Sequence, residues 1–157
     1  MTYRITGLDP APWKSLFGLS DAELARHDAR RVIADATPGY PCRVSLEDAP
    51  IGSALLLVPH TIARPGSPYA FSYAIFVREG AEEPALFEDE VPAVLASRVL
   101  SLRGFDEDGL VVSAMLAQPG DADATIHGML ATRSVATIDV HNAIPGCFAA
   151  RVERTGR

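Results

Sequence analysis

The sequence has little of what marks an exported or membrane-bound protein. Its longest apolar stretches, such as residues 54–59, are far shorter than the roughly 18 residues that a membrane-spanning helix needs. The first four residues, Met-Thr-Tyr-Arg, lack the charged and apolar regions of a signal peptide. There are only two cysteines, Cys42 and Cys147, and in a reducing compartment both are expected to be thiols. These absences predict a cytoplasmic protein with no membrane partner.

Lysine is nearly absent, and acidic residues outnumber basic ones. Thirteen arginines and a single lysine, Lys14, face 20 acidic residues, which leaves a net charge of −6. This charge repels a phosphate backbone, and no segment interleaves basic and aromatic residues as nucleic-acid-binding proteins do. We therefore expect no nucleic-acid partner. The preference for arginine over lysine is typical of high-GC bacterial genomes, and the planar guanidinium fork suits carboxylates and phosphates.

Local signatures of the large enzyme and metalloprotein families are also missing. The sequence contains neither G-x-S-x-G nor G-K-[ST], and neither C-x-x-C nor H-E-x-x-H. A metal site could be drawn from Cys42, His141 and Cys147, but its ligand spacing is not that of known zinc sites. We therefore expect no metal and no cofactor. A chain of 157 residues can bury a sufficient core without either.

Short strands separated by turn signals dominate the chain. With no repeats or long linkers, the sequence predicts one domain over residues 1–157. The fold class is predicted to be α+β, a mostly antiparallel sheet with about three short helices and a C-terminal β-hairpin. Strands are predicted over residues 3–8, 31–34, 42–46, 54–58, 71–78, 100–105, 110–115, 135–141 and 147–153. A short helical turn is predicted at residues 12–17. Helices are predicted over residues 21–28, over residues 90–98 and from Asp121 to about residue 132.

The clearest local signal is a capping box. Ser20 and Glu23 have the S-x-x-E spacing in which each side chain accepts a hydrogen bond from the backbone of the other residue. Leu19 and Leu24 flank them at the positions of a hydrophobic staple. The first α-helix is therefore predicted to begin at Asp21.

The two last strands suggest one candidate site. If His141 lies opposite Cys147, the apolar residues of both strands share one face, and Asp139 shares the other face with His141. Such cross-strand partners have Cβ atoms about 4.5–5.5 Å apart, close enough for an imidazole to reach a thiol. One hypothesis is thus a cysteine-dependent enzyme with Cys147 as nucleophile, His141 as base and Asp139 or Asn142 as orienting group.

Two further hypotheses compete with the enzyme. The leading interpretation is a protein that binds a small, anionic metabolite or a protein partner, with Arg43, Arg78 and His141 as contacts. Arginine at a strand end is nonetheless most often explained by solvation. The third hypothesis is a structural protein that forms homo-oligomers by pairing exposed strands with a copy of itself. The sequence does not choose among these three.

Nearly the whole chain resembles one bacterial family, the one known as domain of unknown function 1203. The resemblance implies a small stand-alone bacterial protein, and it implies no activity and no catalytic residues. It is carried by residues 3–9 (Tyr-Arg-Ile-Thr-Gly-Leu-Asp), 39–46 (Gly-Tyr-Pro-Cys-Arg-Val-Ser-Leu), 74–79 (Ala-Ile-Phe-Val-Arg-Glu) and 140–147 (Val-His-Asn-Ala-Ile-Pro-Gly-Cys).

Overall fold

Strands make up most of the regular structure in the computed structural model, which describes residues 2–156. A 3₁₀-helix precedes the first α-helix, and none of the helices among these residues is both long and apolar enough to cross a membrane. The strands are β1 (Thr2–Thr6), β2 (Arg30–Ile33), β3 (Ala54–Ala63), β4 (Ala70–Arg78), β5 (Leu86–Glu88), β6 (Leu100–Phe105), β7 (Val111–Ala117), β8 (Thr137–Asn142) and β9 (Phe148–Thr155); the helices are the 3₁₀-helix Ala11–Leu16, α1 (Asp21–Ala25), α2 (Ala93–Ala96) and α3 (Ala122–Leu130).

The described residues form two compact units. The first unit contains the described residues of Met1–Thr6, Thr61–Phe71 and Leu86–Arg157, and the second unit contains Gly7–His60 and Ser72–Ala85. That residues 1–157 form a single domain stays a prediction.

A six-stranded sheet forms the frame of the first unit. Its strand order is β5-β1-β9-β8-β6-β7, and its neighbouring strands run antiparallel. The chain ends in the β8–β9 hairpin. The predicted fold class is therefore confirmed: α+β, with mostly antiparallel sheet, short helices and a C-terminal hairpin.

Helix α3 packs against one face of this sheet. The Tyr3 hydroxyl of β1 donates a hydrogen bond to Asp123 Oδ1 of α3 at 2.5 Å. A Cβ atom at Gly104 of β6 would lie 3.1 Å from both Met129 of α3 and Val135. A glycine in the middle of this strand is thus explained by the close approach of the helix. The other face of the sheet carries charged residues together with aromatic side chains.

The second unit has a core of its own. A three-stranded sheet of order β2-β3-β4 contributes Leu56, Ile75 and Val77, and the helical segments contribute Trp13 and Leu24. All five side chains are buried. Burial of this apolar surface is the main favourable term in forming the unit.

The predicted elements that differ most from the structure are the strand over residues 42–46 and the helix over residues 90–98. The predicted strand over residues 42–46 is wrong: this segment is a turn, in which the Leu46 N–H donates to the Cys42 carbonyl at 3.0 Å and Leu46 has φ 53°. The apolar residues of this turn are buried, and their sequence pattern therefore resembles that of a buried strand. The predicted helix over residues 90–98 is confined to Ala93–Ala96, because Pro92 takes the extended N-cap conformation.

The capping box is confirmed. The Ser20 hydroxyl accepts a hydrogen bond from the Glu23 N–H at 3.2 Å, and the Glu23 carboxylate accepts one from the Ser20 N–H at 2.9 Å. The bond from Ser20 lowers the pKa of the Glu23 carboxyl. Two backbone donors at the start of α1 are thereby satisfied.

Replacing Ser20 by alanine tests this cap. We expect Ser20→Ala to lower the free energy of unfolding by about 0.5–2 kcal/mol, because one helix-terminal N–H loses its acceptor. Urea denaturation measures the change, with Ser15→Ala at an exposed position of the 3₁₀-helix as the matched control. An identical unfolding midpoint for Ser20→Ala and the wild type would show that the cap does not stabilise the protein.

Candidate functional site

A row of charged residues crosses the middle of the six-stranded sheet on the face opposite α3. Arg103 of β6 lies directly across from Asp139 of β8, which lies directly across from Arg151 of β9. Cross-strand partners project on the same side of a sheet, so these three side chains are neighbours. The register of two strand pairs therefore gathers two guanidinium groups beside one carboxylate.

Asp139 is fully buried and makes two ion pairs. The Arg151 Nε–H donates a hydrogen bond to Oδ1 at 2.9 Å, and the Nη2 atom of Arg64 lies 2.9 Å from Oδ2. Asp139 has 0% of its surface exposed. A buried carboxylate is tolerated only with such partners, because removing it from water is costly.

Arg64 reaches Asp139 from the connection between β3 and β4. Its guanidinium carbon lies 3.6 Å from the centre of the Phe105 ring, a cation–π contact. Ser67 of the same connection donates a hydrogen bond to the Gly109 carbonyl at 2.7 Å. A Cβ atom at Gly109, where φ is 77°, would lie 3.1 Å from both Arg64 and Ser67. Glycine at this turn therefore permits both the backbone conformation and the close approach of Arg64.

The contact between Arg64 and Asp139 is an ion pair without hydrogen-bond geometry. Both terminal nitrogens of Arg64, Nη1 and Nη2, are inaccessible to solvent and have no hydrogen-bond partner among residues 2–156. Buried donors without acceptors are uncommon in folded proteins, and each requires a specific explanation.

His141 lies one row along the same face of the sheet. It is directly across from Ser101 of β6, and its ring packs edge-on against Phe71 and Phe148 at centroid distances of 5.7 and 5.9 Å. The Nδ1 atom is 3.1 Å from the carbonyl oxygen of Gly146. Since a carbonyl only accepts, Nδ1 carries the proton and Nε2 is the basic nitrogen of the ring.

The environment of His141 favours the neutral ring. Burial is the largest cause that lowers the pKa of His141, and the positive charge of Arg103 lowers it further. Arg64 acts in the same direction, whereas the Gly146 carbonyl and Asp139 oppose the shift. His141 is thus an uncharged imidazole within the field of two arginines.

The register predicted for the C-terminal hairpin is wrong. His141 lies opposite Phe148 rather than Cys147, and Asp139 lies opposite Arg151 rather than Ala149. A bulge separates Val140 from His141. A shift of two residues leaves the apolar side chains on one face, so the apolar pattern does not distinguish the two registers. The observed register has the added Asp139–Arg151 ion pair.

Asn142 binds Cys147 through two hydrogen bonds. The Asn142 side-chain amide donates to Cys147 Sγ at 3.6 Å, and its backbone N–H donates to the Cys147 carbonyl at 2.9 Å. The Asn142 Oδ1 atom is buried and has no hydrogen-bond partner within the described part of the chain. The catalytic roles suggested for Cys147, His141, Asp139 and Asn142 stay a prediction.

Arg43 and Arg78, the other predicted ligand contacts, belong to the second unit, whereas His141 belongs to the first. Arg43 is buried, and its Nη1–H donates to the Pro41 carbonyl at 2.6 Å. Arg78 is exposed, and its backbone N–H donates to the Cys42 thiol at 3.4 Å. Their role as ligand contacts stays a prediction.

Two open clefts in the second unit have a different charge character. They have volumes of about 480 and 320 Å³, and Asp28 and Arg30 line both. In the larger cleft Arg31 pairs with Glu79 at 2.8 Å and with Asp21 at 3.4 Å. Both acidic and basic side chains line this cleft, so its charge is mixed.

Sequence reasoning missed Arg64 and Arg151 as site residues. At Arg64 the sequence indicates only a turn, because Pro65 and Gly66 follow it. Arg151 falls on the predicted polar face of the last strand together with Asp139, and this was a usable signal. No pattern in the sequence predicts that a turn residue will contact a strand that is distant along the chain.

The comparisons with known proteins point to one family. The family model described as protein of unknown function (DUF1203) matches residues 39–154. The matched range includes Asp139, His141 and all three arginines of the site. No curated protein and no solved structure matches the chain.

The two thiols are expected to differ in their reactivity towards iodoacetamide. Cys147 is partly exposed, whereas Cys42 is 1% exposed and lies in the core of the second unit. Brief labelling of the native protein should modify Cys147 first, and peptide mapping by mass spectrometry measures both sites in one sample. Equal labelling of Cys42 would contradict this packing. A Cys147 labelling rate that drops in the His141→Gln variant would support the thiol–imidazole hypothesis.

The neutral state of His141 predicts a pH dependence of stability. Because its pKa is lowered in the folded protein, the unfolded chain binds more protons between that value and the usual pKa of about 6.5. Stability should therefore fall as the pH is lowered through this window. Urea denaturation of the His141→Gln variant should show a shallower decline than the wild type, whereas His27→Gln, at an exposed histidine, should leave the slope unchanged. A wild-type slope in His141→Gln would contradict the assignment.

Proposed function

The chain belongs to the DUF1203 family of proteins of unknown function, and we propose that it binds a small metabolite through an anionic carboxylate or phosphate group. The binding site is the arginine cluster, which we define as Arg64, Arg103 and Arg151 around Asp139. His141 adjoins the cluster. A guanidinium fork matches the geometry of both kinds of oxyanion, which is why one site accepts either.

The unsatisfied donors of Arg64 are the observation that carries this proposal. Two nitrogens of a charged guanidinium are buried without a hydrogen bond, although an oxygen of Asp139 lies 2.9 Å from one of them. Leaving such donors unsatisfied costs more than it does for neutral groups. An anion oxygen that bonds to them recovers this free energy, so the cluster favours the anion-bound state.

The charges around Asp139 support the same conclusion. Two guanidinium groups contact one carboxylate, and Arg103 lies across the strand from that carboxylate. Asp139 neutralises one of the positive charges and holds Arg64 and Arg151 in place. Binding of a ligand carboxylate or phosphate brings the net charge of the cluster closer to zero. Partial burial strengthens this attraction relative to a fully exposed pair.

His141 gives the site a second kind of contact. The protonated Nδ1 is directed to the Gly146 carbonyl, so Nε2 is the basic nitrogen that the ring places beside the cluster. Phe71, whose ring packs on His141 and lies 5.1 Å from the guanidinium of Arg103, provides an apolar wall. These features favour a small organic anion that carries a polar hydrogen.

Calorimetric titration with inorganic phosphate and with succinate tests the proposal. We expect at least one probe to bind, and we expect Arg64→Gln to weaken binding about tenfold or more, because a charge-assisted pair contributes roughly 1.5–3 kcal/mol. Arg133→Gln is the matched control, since Arg133 is an exposed arginine of the same unit. It removes the same charge and should leave the affinity unchanged.

Two results would refute the proposal. One is the absence of binding by both probes at low ionic strength, where exposed charges are least screened. The other is an equal loss of affinity in the Arg64→Gln and Arg133→Gln variants, which would show that the anion responds only to the overall charge of the protein. Thermal melts of both variants establish that they are folded.

A further inference from the structure

Strand β7 forms one edge of the six-stranded sheet. It pairs with β6 on one side, and no strand of residues 2–156 pairs with its other side. An edge strand presents backbone N–H and C=O groups that can form a ladder with another extended strand. The partner that fits this edge is therefore another β-strand.

Strand β7 exposes apolar side chains on both faces of the sheet. Met115 lies opposite Leu102 on the face towards α3, and it is 52% exposed. Leu116 lies opposite Ser101 on the other face, and it is 59% exposed. Val112 is exposed as well. Exposure on both faces is expected when an added strand, rather than a helix or a ligand on one face, completes the structure.

The two edges of the sheet differ in their protection. Strand β5, at the opposite edge, has only three residues, includes Glu88 and is followed by Asp89. Short length and charge are the usual devices that prevent edge pairing. Strand β7 has seven residues and contains neither a charge nor a proline. The edge at β7 is thus open to pairing, and the edge at β5 is not.

We propose that β7 pairs antiparallel with β7 of a second copy of this chain. Because β7 carries no charge, self-pairing places no like charges opposite each other, although the whole protein carries a net charge of −6. A two-fold axis at Ala114, the central residue, gives all seven residues a partner. This register also places Val112 opposite Leu116 of the second copy, a favourable apolar pair.

This pairing extends the antiparallel order of the sheet across the two-fold axis. Ala114 lies directly across from Arg103, so the row of Arg151, Asp139, Arg103 and Ala114 continues into the same row of the second copy in reverse order. The two arginine clusters then lie on one face of a continuous sheet. The self-pairing itself depends only on β7 and does not require an anion to bind.

Sedimentation velocity of the full chain over a concentration series tests the self-pairing. We expect a concentration-dependent dimer that strengthens at higher salt, because salt screens the repulsion between two acidic copies. Ala114 is exposed, so substitution there leaves the core intact. Ala114→Lys and Ala114→Glu each place like charges on the axis, and each variant alone should be monomeric. An equimolar mixture of the two should dimerise, because opposite charges then face each other.

The control is Ile144→Lys, which adds a charge at a residue that is 90% exposed and outside the strands. It should dimerise like the wild type. Leu116→Lys is a second interfacial variant and should be monomeric. Thermal melts confirm that each variant is folded. A monomeric wild type at all concentrations would overturn the proposal. So would a dimer that persists in both Ala114 variants, or a mixture of those variants that stays monomeric.

Discussion

The structure of the first unit depends on the burial of one carboxylate, Asp139, in the second-last strand. A carboxylate without partners at this position would cost several kcal/mol, since its hydration is lost. Arg151 meets this requirement from the neighbouring strand, and Arg64 meets it from the connection between β3 and β4. The ion pair with Arg151 matches the observed hairpin register, and the ion pair with Arg64 holds that connection over Phe105. The carboxylate thus joins residues that are far apart in sequence.

The same carboxylate explains why this face of the sheet is the candidate binding surface. It holds Arg64 and Arg151 in fixed positions but does not satisfy the terminal nitrogens of Arg64. Arg103 and burial keep the nearby His141 uncharged, so that the imidazole can accept a hydrogen bond. Donors that are already held in position lose less conformational entropy when a ligand binds, and this supports the proposed anion site.

Local patterns were predictable from the sequence, and long-range contacts were not. The capping box at Ser20, the antiparallel character of the sheet and the C-terminal hairpin follow from residue spacing, because each depends on neighbours along the chain or on alternation. The hairpin register was missed by two residues because alternation has a period of two. The turn at residues 42–46 was missed because its apolar residues are buried, as those of a strand would be. His141 and Asp139 were found as candidates, but the approach of Arg64 to Asp139 depends on tertiary packing that no local pattern encodes.

The central claim is that the arginine cluster binds an anion through Arg64. The most direct measurement is a ¹H–¹⁵N NMR spectrum of the Nε–Hε groups in protein labelled with ¹⁵N-arginine, recorded while phosphate is added at constant ionic strength. Assignment uses the single Arg→Lys variants. The account predicts saturable shifts of the Arg64 and Arg151 signals, while the signal of the exposed Arg133 stays in place. Shifts of equal size for all the arginines, or no saturable shift at Arg64, would contradict it.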